Sequence, residues 1–141
     1  MTMGPTFAQQ RLVCFGLLMG VSAYAIVVAV VLEQAGKGFG PQHDDVFDTV
    51  SMAAGAALAV AAMVLRQKLG QLVAVASPAD RASARFRALL VPMALLEAGC
   101  LLGITTWLWN GNPVPGLVVA MVLLALMISF VPLRDPDEGA P

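Results

Sequence analysis

Hydrophobic positions along this chain fall in long unbroken runs rather than in alternation. Four such runs cover about residues 12–32, 47–66, 84–109 and 114–132. A bilayer core is crossed by about 20 apolar residues in a helix. Continuous runs select helices over half-buried strands. Backbone groups away from water must also be satisfied within the segment itself. The pattern predicts an all-α fold: a polytopic membrane protein with four transmembrane helices in one domain, residues 1–141, ending in a disordered tail at 133–141. The first run has a 21-residue apolar core, longer than the 7–15 residues or so of a secretory signal. It is read as a retained helix.

The polar breaks punctuate these runs. "EQAGKGFGPQHDD" is a Gly-rich loop, with Asp44, Asp45 or Asp48 available to cap the second helix. "NGNPVPG" is a tight turn with Pro113 or Pro115 in the first turn of the fourth helix. The second helix is expected to run past the membrane boundary and break at Ser77-Pro78. A cap from Ser77 or Asp80 then restarts the chain as helix three.

Charge orients the helices. Seven of the eight basic residues fall before the first helix, between the second and third, or after the fourth. By the positive-inside rule both termini and the loop from Arg66 to Arg85 are cytoplasmic. Trp107 and Trp109 fall where an outer aromatic belt belongs. Arg81, Arg85 and Arg87 are expected to meet anionic lipid head groups.

Composition sharpens the class. Only 12% of the residues are charged and 59% are hydrophobic, against about 25% charged in a soluble domain. The lipid bilayer is therefore the first partner. The net charge of −1 and the absence of a basic stripe give no nucleic-acid reading. Cys14 and Cys100 fall at depths about 15 Å apart, too far for a disulfide. His43, Asp44, Asp45 and Asp48 lack a regular metal-ligand spacing and are read as a solvated loop, so no metal and no cofactor is expected. No nucleophile with a base and no phosphate-binding motif stands out, and the chain is read as a non-enzyme.

One residue breaks the pattern. Glu97 stands in "ALLEAGCLLG", ten residues past Arg87. At 1.5 Å per residue that is about 15 Å, the middle of a 30 Å core. A carboxylate there costs at least a few kcal/mol unless it is neutral or hydrogen-bonded. The expectation is a largely neutral Glu97, with Tyr24, Ser22 and Ser51 or freed backbone as its partners within the chain. Pro92, five residues earlier, is expected to kink the helix. Small residues recur at spacing four: Gly16 and Gly20; Ser51, Gly55 and Ala59; Gly99 and Gly103. Such spacing lets helices approach closely, within the chain or with another subunit.

"SMAAGAALAVAAMVLRQ", an Arg-containing polar loop and "RALLVPMALLEAGCLLGI" together resemble the helical hairpin of the c subunits (proteolipids) of rotary ATP synthases. The resemblance covers about residues 50–108. It implies that Glu97, in an Ala-x-x-Glu-Ala context, matches the acid that binds and releases a proton or sodium ion. Two functional expectations follow. The first is an accessory or structural subunit within a larger complex of the bacterial cytoplasmic (inner) membrane, packing on other membrane subunits or on itself. The alternative is a proton or sodium carrier or channel component using Glu97.

Overall fold

The computed structural model describes residues 6–40 and 45–132. Those residues form four helices and no strand: α1 (Phe7–Ala35), α2 (Asp45–Val75), α3 (Arg81–Asn110) and α4 (Gly116–Phe130). The first three are long and apolar enough to cross a membrane. At 1.5 Å per residue each is about 43–46 Å long. His43, Asp44, Arg134 and the tail at 133–141 lie outside the described residues.

Helix α1 begins five residues before its apolar run. Thr6 caps it: its hydroxyl accepts from Gln9 N at 3.3 Å, while the Gln9 side chain accepts from Thr6 N at 2.8 Å. This reciprocal box satisfies two of the orphan donors at the helix start. Arg11 consequently lies within α1, flanked by the Phe7 and Phe15 rings. Helices α1 and α3 both end at a glycine in the left-handed region, Gly36 (φ 68°) and Gly111 (φ 69°). A side chain at either position would be strained.

Helix α2 runs nine residues past Arg66, to Val75. The break falls at Ser77-Pro78, as expected. Its capping differs: Asp80 occupies the cap position without a side-chain cap bond, and the Ser77 hydroxyl both donates to Asp80 Oδ2 (2.7 Å) and accepts from Asp80 N (3.2 Å).

Helix α4 corrects the expected span of 114–132. Its 15 residues measure about 22 Å, short of a 30 Å core. Prolines set both limits. Pro113 and Pro115 occupy the turn before it, where the Val114–Pro115 bond is cis. At the other end Pro132 pushes Val131 into extended backbone (φ −63°, ψ 124°), as a following proline does.

Helix α3 is the centre of the bundle. It contacts α1, α2 and α4, whereas α1 and α2 do not touch. Of the residues in its most apolar stretch 39% are buried, against 11% in α1. Helix α1 packs through Cys14, Val21 and Val28, one buried residue every seven, a seam suited to shallow helix crossing. Its opposite stripe, Leu12, Met19 and Ile26, is exposed and is the face that lipid would cover.

The α3–α4 contact is closest. A Cβ placed on Gly103 would lie 2.6 Å from the Gly116 carbonyl oxygen and 3.2 Å from Ala120 N. One placed on Gly116 would run into the Gly103 carbonyl. Backbone therefore lies directly on backbone, which only glycine permits. The start of α1, the Arg66–Val73 stretch of α2, the start of α3 and the end of α4 converge around one cavity. Both ends of the described chain thus reach the same end of the bundle.

Candidate functional site

Glu97 lies near the middle of the bundle. Along α3 it is twelve residues from Arg85 and thirteen from Asn110, about 18 Å and 20 Å. The helix continues unbroken through Pro92, which is buried. The proline lacks the N–H that would bond the Ala88 carbonyl. Glu97 is half-buried and turns toward α1, where its Oε1 lies 3.8 Å from the place a Cβ on Gly20 would occupy. A methyl at that place would be in ordinary contact with the carboxylate, so α1 and Glu97 lie side by side without crowding.

The partners expected for Glu97 are occupied elsewhere or distant from it. The Tyr24 hydroxyl pairs with Thr105 Oγ1 at 3.1 Å, tying α1 to α3 two turns beyond Glu97. The Ser22 hydroxyl donates to the Leu18 carbonyl of its own helix at 2.9 Å. Ser51 is buried with its Oγ unpartnered. Among the described residues nothing donates a hydrogen bond to Glu97, and no charged group stands beside it. The sequence shows the polar residues of the chain but not which of them meet: Tyr24 and Ser51 lie at other levels along the bundle, and Ser22 bonds within its own helix.

The small-residue positions divide by what faces them. Gly55 lies against Val119, Gly99 against Leu123 and Leu58, and Gly103 against the α4 backbone. Ser51 is buried and Ala59 is half-buried against the core. Gly16 instead meets nothing within 4 Å. The α1 face that carries Gly16 and Gly20 is thus open beside Glu97.

A second polar cluster joins the opposite end of the bundle to α2. Asn110 Nδ2 donates to Asp48 Oδ1 at 2.6 Å, across 62 residues of chain. Asn110 is buried, and its Oδ1 is unpartnered. Asp48, expected as a possible cap for α2, therefore holds α3 instead. Gly40 N donates to the Trp109 carbonyl at 2.8 Å, seating the α1–α2 loop on the end of α3. Trp109 is exposed and tilts against Phe47 at 6.1 Å between ring centres, while Trp107 is half-buried against the core.

The arginines also separate. Arg81 and Arg87 are exposed, whereas Arg85 is half-buried and lines the cavity at the α1/α4 end, with Arg66. By sequence Arg66 is a marker of orientation. Its guanidinium lies 4.0 Å from the centre of the Phe130 ring, a contact between α2 and α4 that helical spacing within one segment does not announce.

What this arrangement offers chemically is one carboxylate midway along the bundle beside an open helix face, and at one end a cavity whose described lining is apolar with two arginines. No known family model, no curated protein and no solved structure matches this chain.

Proposed function

We propose that the protein is an accessory subunit of a larger assembly in the bacterial cytoplasmic membrane, with four spans and both termini on the cytoplasmic side. The concentration of arginines at the end shared by Phe7 and Pro132 supports that orientation. The residues flanking α4, from Pro113 to Pro132, lengthen the short helix toward a full span.

One observation carries the subunit reading. Asp48 and Arg66 are eighteen residues apart on α2, about 27 Å, which matches the hydrocarbon core. Beyond Arg66 the α2–α3 hairpin projects further, and on it Leu72 and Val75 are 58% and 81% exposed. They lie about 9 Å and 14 Å past Arg66, at or beyond the head groups, where acyl chains do not cover them. Exposed apolar side chains in that position suit a protein partner.

The expected result is that tagged protein, solubilised from its native membrane in mild detergent, brings down a fixed set of membrane polypeptides. The Leu72→Glu/Val75→Glu variant loses them while its own helicity is unchanged. Purification of the wild type as a bare monomer would end this reading.

A second reading rests on Glu97. An unpartnered carboxylate at mid-depth, facing an open helix face, suits a group that takes up and releases a proton or sodium ion. The resemblance of residues 50–108 to the proteolipid hairpin points the same way. In liposomes the wild type is then expected to pass protons and Glu97→Gln to pass none. Absent flux in the wild type, or equal flux in both, removes the carrier reading.

A further inference from the structure

Helices α1 and α2 both pack on α3 but do not touch each other, while α4 touches all three and closes the other side. The α3 face between α1 and α2 is therefore uncovered, and Ala94, Ala98 and Leu101 are exposed along it. Gly16 and Gly20 of α1 are exposed as well, with Gly20 beside the Glu97 carboxylate. Glu97 thus stands in a groove with small residues at spacing four on both walls. Among the described residues nothing pairs with it. Ionised, it lacks a donor; protonated, its own hydroxyl lacks an acceptor. The groove is incomplete in either state.

We propose that this groove receives a transmembrane helix of a different polypeptide, whose Lys or Arg pairs with Glu97. The inference rests on the subunit reading and names the chemistry of one partner. Charge complementarity selects the occupant. Ionisable groups inside a membrane bundle pair with one another, and small residues on both walls let a third helix approach closely enough to do so. A second copy of this chain brings no cation to that level. Arg11 is nine residues before Gly20, about 14 Å along α1. Arg87 is ten residues before Glu97, about 15 Å along α3. Arg66 is stacked on Phe130 at the α2–α4 contact, and the remaining basic residues lie further toward the helix ends or beyond them. A phospholipid would lay hydrocarbon along Ala94 and Leu101 and leave the carboxylate without a counter-charge. A basic residue on a foreign helix is the occupant that answers both the shape and the charge.

The test uses the full chain in its native membrane, with the photo-crosslinker p-benzoylphenylalanine in place of Leu101, one turn from Glu97. Irradiation is expected to capture one foreign transmembrane peptide, and its sequence is expected to carry a Lys or Arg within the apolar stretch. Removing one partner of a buried charge pair is costly, so Glu97→Gln is expected to lower the crosslink at least about tenfold. Glu97→Asp keeps the charge and is expected to retain most of it. Glu97→Lys is expected to abolish the crosslink, and changing the partner's basic residue to Glu in that background to restore it. Should Glu97→Gln lose helicity, the restored charge-swapped pair decides instead. Four results overturn the proposal: crosslinks to lipid alone, crosslinks to a second copy, a captured segment without a basic residue, or a Gln variant that crosslinks as well as the wild type, as a neutral carboxyl would. If polypeptides still come down with the tagged wild type while the groove crosslinks only to lipid, this inference falls and the subunit reading stands. Purification as a bare monomer ends both.

Discussion

Gly103→Val is expected to separate α4 from α3 and to destabilise the protein by about 3 kcal/mol, the upper range for overpacking a tight contact. The reason is that the added carbon meets the Gly116 carbonyl and the Ala120 backbone, not a side chain that can rotate away. The three-helix contact of α2, α3 and α4 opens as one unit, because Gly55 and Gly99 hold the same α4 face through Val119 and Leu123. Two other glycines from the spacing-four pattern serve as controls with different expected outcomes. At Gly99 the added methyl of alanine meets the end of Leu123, and a cost below about 1 kcal/mol is expected as that side chain shifts. Gly16→Ala enters open space and is expected to stabilise α1 slightly, since glycine is about 1 kcal/mol poorer than alanine in a helix interior. Unfolding in mixed detergent, followed by helicity, measures all three. Similar losses at Gly103 and Gly16 would contradict the backbone contact.

Asp48→Ala is expected to cost about 2 kcal/mol, since it strands a buried polar group. The Asn110 amide then keeps neither partner, because its Oδ1 already has none and its Nδ2 bonds only to Asp48 among the described residues. Asp48→Asn retains an acceptor in the same place and is expected to cost less than about 1 kcal/mol. Replacing both residues, Asp48→Ala with Asn110→Leu, removes the stranded amide and is expected to recover part of the loss, which is how paired polar deletions behave. The same unfolding measurement reads the series. An alanine variant as stable as the asparagine variant would show that the contact does not hold the two helices.

Helix class and the placement of α1, α2 and α3 follow from apolar runs, because lipid rewards a continuous run whatever surrounds it. Ends were less legible. The Thr6–Gln9 box extends α1 through a polar stretch that hydropathy excludes. Two prolines at its start and one at its end shorten α4 inside a run that stays apolar. The place of Glu97 midway along α3 could be counted from Arg87, because position along a helix is linear in residue number. Its surroundings could not, since they depend on how α1 is rotated against α3. The same holds for Asp48 with Asn110 and for Arg66 with Phe130. Those pairs belong to different helices and carry no local signature. Spacing-four glycines announced close packing but not which of them is packed: Gly103 is locked against backbone and Gly16 faces open space.

Helix α1 touches α3 and α4 but not α2. The chain is made from its N-terminal end, so α1 is complete before either α3 or α4 exists. It does not pack on the helix that follows it. Its Gly20 face and the Tyr24 hydroxyl wait for α3 to deliver Glu97 and Thr105. A helix made before both of its neighbours is thus docked only after a whole intervening helix, α2, has been made.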